Sequence, residues 1–466
     1  MKLTFYGGAQ SVTGANYLLE FEDSSSLPVR GTQTGKTGTR KILIDCGLIQ
    51  GCNFCEKQNF EPFPYNPEEI SELFITHAHI DHCGRAPKLV KDGFRGKVYS
   101  TPPTRDFAKH LLFDSENLLE REAEKQKRDK IYDEHHIEKL MDLWQGVEYE
   151  EEMPIGKSGA VAVLHSAGHI LGSASIEIRA EGKTILFSGD LGNSPAPLIG
   201  PPAAPCKADY CLIEAVYGDR IHEDLKERRQ KLQAVVENSI KRGGTLMIPA
   251  FSMARTQALL LELRDIFEQN KIEKVPIFLD SPLAIKLTDV YNQYRGYFKE
   301  ELQHRFATAE KIFDFPHFKK TLLKEESIAI RNVKGPKIII AGSGMSNGGR
   351  ILHHEKNYLP DPASTLLIFG YQAKNTLGRD LLEGARQVKI LGQNVSVRAT
   401  VKAIGGYSAH ADQSQLLKWA EPLKGSLKKM FVVQGEEPAS KALAKAMREV
   451  HGFDAVVPQH GQTVEL

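Results

Sequence analysis

In Thr76-His77-Ala78-His79-Ile80-Asp81-His82, three histidines and an aspartate fall within six positions, directly after the apolar residues 73–75. Imidazole and carboxylate suit zinc and other divalent first-row metals, and one zinc takes only three or four protein ligands. H-x-H-x-D-H therefore carries donors enough to begin two sites. A polar loop packed into a core would have no use for four such residues. Three more candidates end apolar runs: His169 in SAGHILGSAS, Asp190 in LFSGDLGN and Asp45 in LIDCGL. Singly, each would be a cap or turn residue; together they suggest one metal-binding end shared by several strands.

Stepping outward, the elements that would hold these residues are strands. LTFYGG, NYLLEFE and KILIDCG at the start, then AVAVLHSAGH, SASIEIRA and KTILFSGD, alternate as β-structure does. Between 104 and 145 a mixed-charge segment, ENLLEREAEKQKRDK, reads as a solvated helix. From 216 to 395 the texture becomes strand then amphipathic helix, repeated: TLMIPA, VPIFLD, KIIIA and TLLIFG each precede a helix or a glycine-rich turn. That is the rhythm of a parallel α/β sheet, and ligands bind such sheets outside the carboxyl ends of the strands. FSMART, SPLAIK, GSGMSNGGR and YQAKNTLGR all fall there. Strand-like sequence resumes at VSVRATV and again at MFVVQG.

With 466 residues the chain is long enough for two or three domains, and 60 Lys+Arg against 59 Asp+Glu exclude a strongly basic nucleic-acid-coating protein. Any polyanion must be gripped locally. No run approaches a membrane span and the chain opens on strand-like sequence, so a cytoplasmic protein with no membrane partner is expected. Six cysteines without an export signal point to reduced thiols, and Cys52-x-x-Cys55, lacking a second pair, reads as two loop thiols. GTQTGKT (31–37) is one residue short of a P-loop and precedes a strand, so it reads as a hairpin loop.

HxHxDH…GHxxGS…SGD resembles the metallo-β-lactamase superfamily over the first 215 residues. EAVYGDR (214–220), PAFSMARTQ (249–257), GSGMSNGGR, GYQAKNTLGR and YSAHADQ (407–413) extend the likeness to its β-CASP branch, the RNA-processing nucleases related to the 3′-end cleavage subunit and to ribonuclease J. The resemblance implies an αββα sandwich, 1–215 and 396–466, interrupted by a parallel α/β β-CASP domain at 216–395 that closes over the metals and leaves a cleft for a single strand. It implies His77, His79 and His169 on one zinc, Asp81 and His82 on the other, and Asp190 as the bridge. Asp81 and Asp190 then serve catalysis as well, with Glu214 orienting His410. Two ions about 3.5–4 Å apart make hydroxide available near neutral pH and stabilise both oxygens of an in-line displacement at phosphorus; His410 would protonate the leaving 3′-oxygen.

After the strand KIIIA, the glycine-rich loop places N–H groups at a helix start, where phosphate binds readily. Ser343, Gly344, Arg350 and His354 are the candidate contacts, with Arg255 and Arg379 beside them. Two departures from the family stand out. Its E-S-T-Y-G motif here reads Glu214-Ala215-Val216-Tyr217-Gly218, and the histidine of its V-H-G-E motif, a ligand of the second zinc, is replaced by Gln434. Glutamine oxygen is a poorer zinc ligand than imidazole. The expectation is one tight zinc and a second, weaker ion, zinc or manganese. His460 reads as a surface residue and not a replacement ligand.

The function expected is hydrolysis of single-stranded RNA, by endonucleolytic or 5′ exonucleolytic cutting, with RNA and a second copy of the chain as the partners to consider. The alternatives are a DNA nuclease of the same fold and a catalytically silent RNA-binding paralogue. A small-molecule hydrolase would not need the long insertion.

Overall fold

Strand Ala174–Ala180 shows why the first part of the chain forms half-buried sheets: Ala174, Ile176, Ile178 and Ala180 enter a core while Glu177 and Arg179 reach solvent. The computed structural model describes residues 1–23, 38–51, 57–157, 159–222, 225–269, 272–308, 311–370, 372–405 and 408–466. The loop 31–37, Cys52, Cys55 and Tyr407 lie outside the described residues. Cys46, Cys83, Cys206 and Cys211 are free thiols. No described helix is long and apolar enough to cross a membrane.

The chain forms two compact units, Met1–Ile221 with His410–Leu466, and His222–Ala409. The first unit holds two seven-stranded sheets. One runs Thr463–Glu465, Lys2–Phe5, Tyr17–Asp23, Gly38–Ile44, Glu72–Phe74, Lys97–Ser100, Trp144–Gly146. The other runs Ala455–Val456, Lys429–Val433, Tyr210–Glu214, Lys183–Phe187, Ala174–Ala180, Ala160–Ser166, Met153–Ile155. Leu3, Phe5, Ile42 and Phe74 of the first sheet share a core with Leu164, Ile185, Phe187 and Phe431 of the second. Helices Gln413–Ala420 and Glu437–His451 cover the outer face of the second sheet through Leu416, Trp419, Leu443 and Met447. Helices Pro102–Gln126 and Glu134–Leu143 pack on Trp144–Gly146 and Lys97–Ser100 of the first. The layers are those of an αββα sandwich.

Strand direction sets where donors can gather. Gly38–Ile44 is parallel to Glu72–Phe74, and Lys183–Phe187, Tyr210–Glu214 and Lys429–Val433 are mutually parallel. Ala160–Ser166 is antiparallel to Ala174–Ala180, which is antiparallel to Lys183–Phe187, so it too runs their way. Within each sheet, the carboxyl ends of these strands lie on one edge.

The second unit contains a six-stranded parallel sheet in the order Phe318–Lys320, Ile277–Leu279, Lys337–Ala341, Thr245–Pro249, Thr365–Phe369, Thr400–Ile404. Its central strands TLMIP, KIIIA and TLLIF are buried throughout, as a sheet covered on both faces demands. Thr400–Ile404 pairs with Thr365–Phe369, so the α/β unit extends to Ala409 and not to 395. In VSVRATV, a hairpin partner (Gln393–Ser396) and a sheet strand follow one another without a break in texture.

Candidate metal centre

Six strand ends of the sandwich unit deliver the polar cluster. Asp45 follows Gly38–Ile44, the histidine segment follows Glu72–Phe74, and His169 follows Ala160–Ser166. Asp190 follows Lys183–Phe187, Glu214 ends Tyr210–Glu214, and Gln434 follows Lys429–Val433. Glycines allow the loops to close on each other: a Cβ on Gly47 would lie 1.6 Å from the Asp81 carbonyl oxygen, and one on Gly192 would lie 1.8 Å from that of Gly168.

His77, His79, His169 and Asp190 bring one ligand atom each into a single group. Nε2 of His77 is 2.9 Å and Nε2 of His169 is 3.2 Å from Nδ1 of His79. Oδ2 of Asp190 lies 3.4 Å from His77 Nε2 and 3.6 Å from His169 Nε2. Tetrahedral zinc at about 2.0–2.1 Å from its ligands has ligand–ligand edges of about 3.3–3.4 Å, so these four separations fit one zinc-sized ion. Burial drives the pKa of His79 and His169 well below the ordinary value, which keeps their rings neutral with lone pairs to give. Burial would raise Asp190, but His82, His77 and His410 around it hold its carboxyl well below the usual range.

His82 and His77 are supported from behind. Asp45, fully buried at a positive φ of 61°, accepts from the Thr76 amide at 2.8 Å, from Thr76 Oγ1 at 2.9 Å and from His82 Nδ1 at 2.7 Å. Thr76 Oγ1 in turn lies 3.0 Å from His77 Nδ1. Such partners fix ring orientation and tautomer in metal sites. Sequence marked Asp45 only as one more strand-end aspartate; its role shows in the fold.

His82 Nε2 faces Asp190 Oδ1 at 3.3 Å and the Gln434 carboxamide Nε2 at 2.8 Å. Burial opposes charge on His82, and Asp190 and Asp45 favour a second proton on it, but the Gln434 amide occupies the place that proton would take at Nε2. Two N–H groups do not face each other at that distance, so the amide meets an unprotonated Nε2. Gln434 also donates to Asp190 at 3.2 Å, supplying the positive end that a second proton on His82 would bring. His460 is exposed and Asp81 half-buried. Asp81 and His82 both stand outside the two groups of converging ligand atoms, which are the one above and Asp190 with Glu214 and His410.

In that last trio, Glu214 accepts from the amides of Leu191 at 2.8 Å and Val216 at 3.1 Å and lies 3.2 Å from His410 Nδ1. The buried Glu214 holds the His410 imidazole, whose side chain is 21% exposed. Burial opposes charge on His410, but Glu214 and Asp190 push its pKa up to about 9, so it carries a proton at neutral pH.

The candidate substrate residues all stand in the α/β unit. Three amides of the glycine-rich loop bond within the loop: Ser343 N to Gly348 O, Ser346 N to Ser343 O, and Asn347 N to Ser343 Oγ. Gly344 packs on the Phe251 ring, over which the Arg255 guanidinium lies at 4.5 Å. Arg350 donates to Asp280 Oδ1 and to the carbonyls of Thr321 and Leu322, while His354 Nε2 lies 2.7 Å from Asp280 Oδ2. Arg379 pairs with Glu383.

An αββα sandwich with histidines and aspartates converging at strand ends, and a parallel α/β unit inserted after its second sheet is nearly complete, defines the metallo-β-lactamase class of fold with a β-CASP insertion. Residues 35–238 match the metallo-beta-lactamase superfamily, residues 256–381 the Beta-Casp domain, and residues 394–458 the Zn-dependent metallo-hydrolase RNA specificity domain. The chain is 33% identical to ribonuclease TTHA0252 of Thermus thermophilus, covering 100% of both chains. It is 30% identical to an RNase J-like protein of Methanocaldococcus jannaschii, over 100% of this chain and 99% of that one. With cleavage and polyadenylation specificity factor 73 of Drosophila melanogaster it shares 29% identity over 92% of this chain and 59% of the other. The crystal structure of a protein of unknown function from Enterococcus faecalis V583 superposes on 100% of the chain with a TM-score of 0.57 at 12% identity, which bears on the fold alone. The protein belongs to the β-CASP branch of the metallo-β-lactamase superfamily.

Proposed function

We propose that the protein is a zinc-dependent phosphodiesterase that cuts single-stranded RNA in the cytoplasm, within the strand or from its 5′ end. The observation that carries this reading is the His410–Glu214 pair set beside the metal-ligand cluster. His410 shares Asp190 with the His77/His79/His169 group, its Nδ1 being 3.8 Å from Asp190 Oδ2. Bound divalent ions supply an activated water and neutralise charge on the phosphate. The protein's residues do the rest. His77, His79, His169 and Asp190 would hold a tight zinc, and His82, Asp190, Asp81 and Gln434 a weaker second ion, zinc or manganese. Glu214 takes the Nδ1–H of His410, so the proton available to a leaving 3′-oxygen is the one on Nε2. Ser343, Gly344, Arg255, Arg350, His354 and Arg379 are the proposed contacts to the strand.

The test is a digest of 5′-labelled RNA and the matched DNA, alongside zinc analysis, for the protein and for Asp190→Ala. RNA cleavage that vanishes with zinc in the variant is expected. Equal cleavage of DNA, or retained cleavage in the variant, would sink this reading.

A further inference from the structure

One cavity of the α/β unit has no part in the metal centre. It holds about 450 Å³ and lies between helix Lys324–Ala329 with its following turn Ile330–Asn332, and helix Ile351–Tyr358. Lys324, Arg331, Arg350 and Lys356 line it, and no carboxylate does. Arg350 is answered by the buried Asp280. Lys324, Arg331 and Lys356 have no ion-pair partner among the described residues. Three unanswered cations around one concavity repel each other and raise the local potential, which favours an anion there.

A second observation points to a ligand. His354 lines the cavity at 2% exposure, with Nε2 fixed by Asp280 and with Nδ1 lacking any hydrogen-bond partner. Leaving such a buried nitrogen unsatisfied is costly. With Nε2–H donated to Asp280, Nδ1 keeps a lone pair, which a ribose hydroxyl would satisfy. The cavity is much larger than a phosphate, and its wall includes Ile328, 45% exposed, and His353. An apolar side chain and an imidazole beside a cationic rim suit a ring system attached to a phosphate.

We infer that this cavity binds a nucleoside phosphate, with the phosphoryl group on Arg331 and Lys356, a ribose hydroxyl on His354 and the base against Ile328 and His353. The ligand is either a free nucleotide or the phosphorylated end of an RNA strand. The site is built wholly from the α/β unit and does not rest on the hydrolytic reading.

The test is calorimetric titration of the full chain, stripped of metal, with AMP, adenosine and inorganic phosphate. A short oligoadenylate bearing either a terminal phosphate or a hydroxyl follows. A free-nucleotide site binds AMP once per chain, more tightly than adenosine or phosphate. A strand-end site binds the phosphorylated oligoadenylate more tightly than the hydroxyl form. In either case the pair Arg331→Ala with Lys356→Ala should cost tenfold or more, and AMP binding should survive Asp190→Ala. Thermal melting of the double variant, whose substitutions break no ion pair, controls for folding. If the double variant binds every probe as the parent does, or loses phosphorylated and hydroxyl strands equally, the site is a solvated basic surface and the inference fails. AMP binding abolished by Asp190→Ala would likewise place it at the metal centre and overturn the inference.

Discussion

The carboxamide nitrogen of Gln434 lies 2.8 Å from Nε2 of His82 and 3.2 Å from Oδ1 of Asp190. Both acceptors are atoms that a second ion would need, and the amide hydrogens already satisfy them. An amide nitrogen offers a metal no lone pair. To bind a second ion here, Gln434 must turn its carboxamide over and present oxygen, giving up two buried hydrogen bonds. Its backbone is fixed at φ 48° with the N–H tied to Gly8 O at 2.6 Å. Gln434→His should therefore raise zinc from one to two ions per chain, read by native mass spectrometry after exchange into metal-free buffer. Two tightly held ions in the unmodified protein would show that Gln434 does not weaken the second site.

His410→Ala should keep its zinc and slow cleavage about 10²–10⁴-fold, the usual worth of a general acid. Glu214→Gln should produce a smaller loss of rate, because the ring is still held through a neutral hydrogen bond. Zinc analysis beside single-turnover cleavage separates these outcomes from loss of a ligand.

Asp45→Asn removes a charge from behind His82 without touching the metal directly. Outer partners of this kind typically change metal affinity about 10–100-fold. Zinc competition against a chromogenic chelator should show weakening in that range for the Gln434→His background, where the second site is filled. Unchanged affinity would reduce Asp45 to a turn residue.

Glu355 predicts a pH dependence of stability outside the metal centre. It is fully buried, bonded to Ser346 Oγ, and burial pushes its pKa up to about 8. The folded state thus holds a proton that the unfolded chain releases near pH 4.5. Stability is unaffected by this group below pH 4.5, falls as pH rises toward about 8, and is then level, a loss on the order of a few kcal/mol. Glu355→Gln should flatten that slope. The check is urea unfolding at pH 5 and pH 8: parallel losses in both proteins would show that Glu355 is not the group responsible.

Much of the site was legible because its residues end apolar runs, where a core leaves polar side chains unexplained. His77, His79, His82, His169 and Asp190 announce themselves that way. Glu214 and His410 do not, since an acid closing a strand and a histidine in a loop are ordinary; only their motifs marked them. What sequence could not reveal is which distant residue claims a side chain. Arg350 and His354 look free in GGRILHHE, yet Asp280, 70 and 74 positions earlier, takes both. The boundary of the α/β unit was obscure for the same reason. Thr400–Ile404 has no local sign of its partner, and a strand's sheet is decided by pairing far along the chain.

The sandwich unit is made from two pieces of chain separated by a contiguous one, and this fixes an order of events on the ribosome. Domains fold as they emerge, so residues 222–409 can complete their own sheet while the sandwich is still missing residues 410–466. Until those last residues arrive, Lys2–Phe5 lacks its edge partner Thr463–Glu465, Glu214 lacks His410, and His82 lacks Gln434. The first 409 residues are thus made without the acid proposed for the metal centre. A polypeptide proposed to cut RNA is disarmed until residues 410–434 have followed the inserted unit out of the ribosome.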